Sequence, residues 1–535
     1  MTNNIEQIGG GRRYSKPQTE ILPLTAEAFE YLTKVRGLRK DTLEAYRLGC
    51  NNRGEIVIPF YDEKDELMLV KFRHSQGKML QWRKKLPDDT FEETEGKSRI
   101  EKGGKGVLLG SHLCEPSEGA LVICFGDYDA MAVAQDGVPN CVGLPFGDGG
   151  FEFIDHQWNF IESFKEIIIY NDADKFDKPE AAIRAQKKLD ELATRLGTHR
   201  CRIVRKDDRY GTKDANELLL VKGDKANRTA IENAEWFPTG IVAVADYEDS
   251  PIREGTPIGL PDIDKVTGGF AGGNLILVAG DNESGKTTEV LNITAKFVDE
   301  GEPVFWWSGE QNPGELRYWF ERIVAGRFNL ERIIGGKTGF EYFFPLEQFK
   351  AKIRNWYRNF LFQYTKVGID AEEFFKAAEI GIRRYGCRLI VIDNLMAFTG
   401  GEGDGYYQAQ GDFAQSCKRF AQQWDVPVVL ICHIKKIEQR ETQKKPKLPD
   451  KDSIEGSKKV TNWADFVLIM FKLKEEHNEY FPNAEALIML RKTRSSGIHE
   501  AVRLRFDRES NRLCQVSEEA EINRKFGWEQ YESEH

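Results

Sequence analysis

The sequence predicts an α/β protein with two α/β units and a connector between them. In residues 106–223 short apolar strands alternate with helices, which is the pattern of a small parallel sheet. A second series of apolar strands and helices occupies residues 259–535, where a polar C-terminal tail is expected at the end. Residues 224–258 are rich in Pro, Gly and acidic residues and predict a linker.

Composition narrows the class of protein. The 535 residues suit two to four domains, and no apolar run is long enough for a membrane helix. The nine cysteines are scattered without a C-x-x-C pair, which argues against a disulfide framework and fits a reducing cytosol. The net charge of −10 excludes a chain that coats nucleic acid all over, but allows a local basic groove.

Residues 1–105 predict a first subdomain, of which the first 20 or so residues are polar and flexible. Helical periodicity runs from about Leu24 to Cys50. The stretch "EIVIPFYDEKDELMLVKFR" then alternates as strand, turn and strand. On this pattern, its Arg and Lys side chains face either a nucleic acid or solvent.

Two carboxylates follow a predicted buried strand in "LVICFGDYDAMAV", which spans residues 121–133. Asp127 and Asp129 stand where acids at the end of a strand often hold a metal ion. Phe125, however, occupies the place where a first ligand is expected, and a phenyl ring cannot coordinate a metal. The stretch is therefore either a metal site or the remains of one.

The strongest signal is "LILVAGDNESGKTTEV", which fits G-x-x-x-x-G-K-[ST] with a strand before it and a helix after it. Its glycines let backbone N–H groups curl around phosphates, Lys286 reaches the β- and γ-phosphates, and Thr287 ligates Mg²⁺. The predicted cofactor-binding residues are Gly280, Ser284, Gly285, Lys286, Thr287, Thr288 and Asp393.

Three further strand ends carry polar residues suited to hydrolysis. Asp393 ends "RLIVID" and predicts the second Mg²⁺ contact. Glu310 follows "PVFWWSG", where its carboxylate could polarise an attacking water; the alternative is a residue that opens a solvated helix. His433 ends "PVVLICH", placed either to sense the γ-phosphate or as a structural histidine.

Basic residues follow a later strand in "LIMLRKTRSSG". Arg491, Lys492 or Arg494 could supply a neighbouring subunit with an arginine finger, which would require a ring or a filament. The alternative is a basic strand end in water.

The order of these motifs resembles the fused primase-helicases of T-odd bacteriophages and their mitochondrial relative, the Twinkle helicase. The resemblance runs from roughly residue 25 to residue 510. It rests on "GDYDAMAV", "IIIYNDAD", "KDANELLL", "GDNESGKTT", "WWSGEQNPGELRYWF", "LIVIDN", "VVLICHIKK", "DSIEGSKKVTNWADFVLIM" and "LRKTRSSG".

The resemblance implies a DnaB-like, RecA-type helicase that forms a hexameric or heptameric ring and moves 5′→3′ on single-stranded or forked DNA. It implies catalytic roles for Glu310, His433 and Arg494 beside Lys286, with Mg²⁺ and ATP or another NTP or dNTP as cofactors. The resemblance also implies that four lysines bind DNA phosphates: Lys435, Lys436, Lys458 and Lys459. The alternative is that they belong to a solvated Lys-rich loop. Glu455 departs from the phage pattern, which has a basic residue there.

In the first α/β unit the resemblance is to a TOPRIM domain, with residues 1–105 as a primase-like subdomain. It implies a second metal site made of Asp127, Asp129, Asp172, Asp174 and Asp214. Phe125 replaces the leading glutamate of the family, and no Cys/His cluster forms a zinc module. We therefore expect a primase-like fold that makes no primers, although the retained acids leave weak synthesis open.

Two other functions stay open at this stage: a complete primase-helicase, and a RecA-like recombination ATPase that coats single strands. As partners the resemblance suggests a replicative DNA polymerase and a separate primase, and we expect no membrane. The expected location is the cytoplasm, in a phage-infected bacterial host rather than a mitochondrion.

Overall fold

The computed structural model of this chain describes residues 14–85, 91–146, 150–173, 179–237, 254–398, 404–435, 446–454, 458–494 and 497–530. It divides into two compact units, Met1–Ala243 and Val244–His535. Each unit has its own sheets and its own buried core.

The first unit contains two sheets and a hairpin. Its strands are β1 (Gly49–Cys50), β2 (Ile56–Tyr61), β3 (Leu67–Arg73), β4 (Leu80–Lys85), β5 (Phe91–Gly96), β6 (Arg99–Ile100), β7 (Leu121–Cys124), β8 (Cys141–Gly143), β9 (Ile167–Tyr170), β10 (Cys201–Ile203) and β11 (Glu235–Trp236). One sheet has the order β1-β2-β3-β6, the other β11-β10-β9-β7-β8, and β4 pairs with β5. The antiparallel β2–β3 pair confirms the predicted strand–turn–strand.

The second of these sheets is parallel from β10 to β8, as the alternating pattern predicts. The helices of the first unit are α1 (Ala26–Glu30), α2 (Lys40–Ala45), α3 (Asp127–Gln135), α4 (Phe153–His156), α5 (Trp158–Glu162), α6 (Pro179–Leu196), α7 (Ala215–Lys222) and α8 (Ala226–Glu232). Before β7, Leu109 forms an isolated antiparallel bridge with Gly143 of β8.

Side chains from the N-terminal segment, such as Leu32 and Tyr46, share one buried cluster with Met131 and Leu219, so the predicted subdomain of residues 1–105 packs directly against residues 106–223. The linker does not begin at residue 224, because α8 follows there and β11 pairs with β10 at the edge of the sheet. Residues 238–253 of the predicted linker lie outside the described residues.

The second unit is built on one large sheet. Its strands are β12 (Leu275–Gly280), β13 (Val304–Ser308), β14 (Leu330–Ile334), β15 (Glu341–Pro345), β16 (Leu361–Tyr364), β17 (Leu389–Asp393), β18 (Val428–His433), β19 (Phe466–Lys472), β20 (Ala486–Thr493), β21 (Glu500–Asp507) and β22 (Arg512–Gln515). Nine of them form a sheet in the order β16-β13-β17-β18-β12-β19-β20-β21-β22, and β14 and β15 form a separate hairpin. The sheet is parallel from β16 to β19 and antiparallel beyond.

Both faces of this sheet are covered, which is why its central strands read as unbroken apolar runs. In β12, for example, Leu275 and Leu277 pack into one buried cluster while Ile276 and Val278 pack into another. The helices of this unit are α9 (Pro261–Thr267), α10 (Lys286–Asp299), α11 (Pro313–Ala325), α12 (Glu347–Tyr357), α13 (Ala371–Tyr385), α14 (Asp404–Trp424) and α15 (Lys458–Trp463). Among the described residues, no helix is long and apolar enough to cross a membrane.

The expected polar tail is wrong up to residue 530. Trp528 is buried, and its indole N–H donates to the Val324 carbonyl oxygen at 2.8 Å. Arg512 is buried beside it and donates to the carbonyl oxygens of Ile323 and Ile522, both at 2.7 Å. The composition of this segment is polar, but a few large side chains anchor it to the core of the second unit.

Candidate nucleotide site

The phosphate loop connects the central strand β12 to α10. At Gly280 an added Cβ would lie 2.4 Å from Ser284 Oγ and 2.8 Å from the Met470 carbonyl oxygen, so no side chain fits there. Gly285 has φ +92° and immediately precedes the first residue of α10. Both glycines of the motif are therefore required by the local backbone, and the N-terminus of a fourteen-residue helix opens at the loop.

Lys286 lies inside this loop and is buried. Its ammonium donates to the Asp281 carbonyl oxygen at 2.8 Å. Burial lowers the pKa of Lys286, and the nearby carboxylates of Asp393 and Asp281 oppose this shift. Ser284 is also buried, and its hydroxyl has no hydrogen-bond partner among the described atoms. The loop thus holds a cation and a spare hydroxyl donor, which suits an anionic ligand.

Asp393 ends β17, two strands away from β12 across the sheet. Its Oδ2 accepts from Ser308 Oγ at 3.3 Å and from Thr287 Oγ1 at 3.5 Å. Burial, followed by the carboxylate of Glu310, raises the pKa of Asp393 to about 7. The hydroxyl of Thr287 and the carboxylate of Asp393 are hard oxygen donors, the set that Mg²⁺ prefers, so the residues present fit this ion.

Glu310 follows β13 and is exposed. One of its carboxylate oxygens accepts from Asn394 Nδ2 at 2.5 Å. Its backbone N–H donates to Ser308 Oγ at 3.1 Å. The Glu310 carboxylate also interacts electrostatically with Lys286 and Asp393, so the three groups lie near one another at the carboxyl edge of the sheet.

His433 ends β18, the strand between β17 and β12. It is paired in register with Gly280 of the phosphate loop and is half-buried. The parallel strands bring the ends of β12, β13, β17 and β18 to one edge of the sheet. Thr288 is half-buried in the first turn of α10.

Arg494 follows β20 and is paired within its own unit. Its guanidinium donates to the Asn462 carbonyl oxygen at 2.8 Å, and Nε lies 3.6 Å from Asp465 Oδ1. About half of its side chain is exposed. Lys492 donates to the Thr461 carbonyl oxygen at 2.7 Å, and Arg491 donates to that of Pro449 at 3.2 Å. Of these three cations, Arg494 keeps the most open side chain.

Two of the four lysines predicted for DNA are described. Lys435 is exposed after β18, and its backbone N–H donates to the Ser453 carbonyl oxygen at 2.8 Å. Lys459 is exposed on α15, and its ammonium donates to Gln408 Oε1. Lys436 and the side chain of Lys458 lie outside the described residues.

In the first unit, Asp127 is an internal counter-ion. Its side chain is fully buried, with Oδ1 at 2.6 Å from Lys71 Nζ and Oδ2 at 2.7 Å from the Arg73 guanidinium. Burial alone raises the pKa of Asp127, but the two cations outweigh burial and hold its pKa below its usual range. The expectation that the basic residues of β3 face a nucleic acid or solvent is therefore wrong for Lys71, which is buried.

Three other predicted acids lie near one another. Asp129 Oδ1 accepts from the Asn216 backbone N–H at 2.9 Å, and Asp214 caps α7 through the Glu217 N–H at 2.8 Å. Burial, with the nearby Asp214 and Asp172, raises the pKa of Asp129 to about 8. Asp174 lies outside the described residues. Within the described part of the chain, no group of three or more His, Cys, Asp or Glu side chains is arranged to hold a metal ion.

Comparison with known proteins gives the family of the second unit. The family model "DnaB-like helicase C terminal domain" matches residues 255–515, a span that contains every predicted nucleotide-site residue. Residues 255–515 form a DnaB-like helicase C-terminal domain. The resemblance to Twinkle-like, DnaB-type helicases that the motifs indicate is confirmed. This DnaB-like domain is an α/β P-loop ATPase fold of the RecA type.

Two curated plant relatives and one solved structure illustrate the similarity. The chain is 28% identical over 259 residues to a Twinkle homolog protein of Arabidopsis thaliana, covering 44% of this chain and 32% of that protein. It is 28% identical over 248 residues to a primase homolog protein of the same plant, covering 42% of this chain and 65% of that one. A solved DnaB-like replicative helicase is 17% identical with a TM-score of 0.42, covering 68% of this chain and 82% of that structure. The chain thus spans less than two thirds of the length of both curated relatives.

Two polar residues beside the nucleotide site of this DnaB-like domain were not predicted from the sequence. Ser308 Oγ donates to the Asp393 carboxylate and accepts from the Glu310 backbone N–H, and the Asn394 amide donates to the Glu310 carboxylate. A signal for them exists in the sequence, because Ser308 ends an apolar strand and Asn394 directly follows Asp393. Neither residue belongs to the phosphate-loop pattern, so the motif alone does not select them.

Proposed function

We propose that this chain is a replicative DNA helicase that couples hydrolysis of ATP, or another NTP or dNTP, to 5′→3′ movement on single-stranded DNA. The observation that carries the proposal is the meeting of Lys286, Asp393 and Glu310 at one edge of the sheet of a DnaB-like domain. A cation, a metal-binding carboxylate and an exposed base around one space are the groups that phosphoryl transfer to water requires.

In the proposed reaction, some residues of the nucleotide site bind the phosphates and Mg²⁺, and Glu310 transfers a proton. The backbone of residues 281–285 and Lys286 bind the phosphates, and Lys286 exchanges its bond with the Asp281 carbonyl oxygen for a phosphate oxygen. Thr287 and Asp393 would hold Mg²⁺, which when bound neutralises charge on the phosphates. Glu310 orients the attacking water and accepts its proton. The water oxygen bonds to the γ-phosphorus as the bond from that phosphorus to the β,γ-bridging oxygen breaks, and the nucleoside diphosphate leaves. His433, in register with Gly280, donates toward the γ-phosphate.

Hydrolysis by this arrangement requires a second copy of the chain. Arg494 is half exposed and, in the proposal, reaches the γ-phosphate held by the neighbouring subunit of a hexameric or heptameric ring. Lys435, Lys436, Lys458 and Lys459 contact the phosphates of a DNA strand in the central channel without reading its sequence. The ring thereby couples each hydrolysis to a displacement along DNA.

The first unit is proposed to be TOPRIM-like in fold and inactive in primer synthesis. Phe125 packs beside an apolar cluster at the position where the family carries a glutamate, and Asp127 is neutralised by Lys71 and Arg73. Asp129, Asp172 and Asp214 lie near one another but form no arrangement suited to a metal ion among the described residues, which also weighs against primer synthesis. The unit then holds single-stranded DNA or steadies the ring, while a separate primase and a polymerase act beside it in the cytoplasm of a phage-infected host.

One preparation assayed for two activities tests the proposal. We expect unwinding of a forked duplex with a free 5′ arm, dependent on Mg²⁺ and a nucleoside triphosphate, and no primers from ribonucleotides on a single-stranded template. Primer formation would establish a primase-helicase instead. Coating of single strands without unwinding would favour a recombination ATPase, and a protein that stays monomeric with nucleotide and DNA would contradict the ring.

A further inference from the structure

Asn394 is the buried neighbour of the exposed carboxylate of Glu310. It directly follows Asp393, and only 7% of its surface is exposed. Its side-chain amide donates to Glu310 Oε1 at 2.5 Å. An exposed glutamate ordinarily samples several rotamers, whereas a carboxylate bonded to a buried amide is held in one position.

The orientation of the Asn394 amide follows from its second bond. The Met396 backbone N–H lies 3.0 Å from Asn394 Oδ1, and a backbone N–H can only donate. The oxygen of the amide must therefore face Met396, which leaves the NH₂ group to face Glu310. One end of the Asn394 side chain is thus anchored in the backbone after β17, and the other end presents a donor.

Ser308 fixes the backbone that carries Glu310. Its Oγ accepts from the N–H groups of Glu310 and Gln311 at 3.1 and 3.0 Å, and donates to Asp393 Oδ2 at 3.3 Å. Ser308 therefore fixes the backbone of Glu310, and Asn394 fixes the position of its carboxylate. Because Asn394 occupies Oε1, the other oxygen, Oε2, remains to accept a proton from water.

We propose that Asn394 is the positioning residue of the hydrolytic base: it holds Glu310 so that the carboxylate meets the water that attacks the γ-phosphate. This inference rests on the proposed function, since it requires that Glu310 acts as the base. A general base must stand within hydrogen-bond distance of the proton it takes, and misplacement by about 1 Å can cost on the order of 100-fold in rate. The loss of Asn394 should therefore appear in kcat and not in nucleotide affinity.

The full-length chain with Asn394→Asp separates this role from a merely structural one. Aspartate has the shape of asparagine and keeps an oxygen for the Met396 N–H, but it has no donor for Glu310. We expect kcat for DNA-stimulated hydrolysis to fall by about tenfold or more. The affinity for a non-hydrolysable nucleotide analogue should change less than about twofold, because Asn394 has no role in holding the phosphates. Asn394→Ala, which adds no charge beside Asp393, should give the same division between kcat and affinity.

A double-variant comparison completes the test. In a Glu310→Gln background, Asn394→Asp should leave the residual single-turnover rate unchanged, because the group that Asn394 positions is already gone. An equal loss in both backgrounds would overturn the inference, as would normal kcat in both Asn394 variants. If the wild-type protein hydrolyses no nucleoside triphosphate, the proposed function fails; if Glu310→Gln is inactive while both Asn394 variants are normal, only the role of Asn394 fails.

Discussion

Replacing Asp127 with asparagine tests whether this acid is a structural counter-ion. Asp127→Asn removes the negative charge from a buried cluster in which Lys71 Nζ lies 2.6 Å and the Arg73 guanidinium 2.7 Å from its carboxylate. The side chain of Lys71 is only 6% exposed, whereas that of Arg73 is 23% exposed. The variant therefore leaves one cation, Lys71, in the interior without a counter-charge.

The size of the effect follows from that burial. Breaking a buried ion pair by removing one partner typically costs about 3–5 kcal/mol, which corresponds to about a 100-fold or greater rise in the opening equilibrium. The folded pKa of Asp127 lies below its usual range, so its contribution is present at neutral pH and is lost as the pH falls through that folded pKa. Arg73 can turn partly to solvent and should add little to the loss.

Native-state hydrogen exchange of the full-length chain at neutral pH measures this quantity locally. Amides of β3 and α3, which carry the cluster, should exchange about 100-fold faster or more in Asp127→Asn. Asp65→Asn is a matched control, because Asp65 forms an ion pair with Arg47 at the same 2.7 Å but at the surface; it should change exchange little. Exchange in Asp127→Asn within about threefold of wild type would refute the assignment of Asp127 as a buried counter-ion.

Three further predictions address the second unit. Lys286→Ala should abolish DNA-stimulated hydrolysis, because no other cation lies inside the phosphate loop among the described residues; retained turnover would locate the nucleotide site elsewhere. Arg494→Ala should bind nucleotide normally but turn over about 1,000-fold more slowly, and a normal rate would contradict its role in trans. Burial raises the pKa of Glu289 to about 8. The folded state therefore keeps a proton that the unfolded state releases, and stability should fall between pH 6 and 8 by up to about 1.4 kcal/mol per unit. Urea unfolding of Glu289→Gln should show a shallower decline than wild type, because buried Asp129 and Asp393 still contribute to it; an unchanged slope would contradict the prediction.

The nucleotide site was the part of this protein most open to prediction from sequence. The phosphate loop is local: its glycines, Lys286 and Thr287 lie within eight consecutive residues between a strand and a helix. Asp393, Glu310 and His433 were predicted because each closely follows or ends an apolar strand. The structure then brings the carboxyl ends of these parallel strands to one edge. Asn394 and Ser308 were missed, because a neutral side chain beside a carboxylate has no pattern of its own.

The boundaries and the acids of the first unit were less predictable, since both depend on contacts between distant residues. The end of the first unit was placed too early, because β11 has only two residues and is recognisable only by its pairing with β10. A polar tail was expected at the C-terminus, where Trp528 is buried, because one buried indole does not alter the polar composition around it. From the sequence Asp127 was predicted to be a metal ligand. Its two cationic partners, Lys71 and Arg73, are recognisable only in the structure, where β3 lies beside Asp127.

The sequence by itself determined an α/β chain with a phosphate loop, because strand and helix periods and a glycine-lysine motif are properties of neighbouring residues. The tertiary structure alone decided which charges meet. Asp127 lies 56 residues from Lys71, and Asn394 lies 84 residues from Glu310. A charged or polar group has the same local pattern whether its partner is a metal, water or another side chain, and folding selects among them through burial and distance.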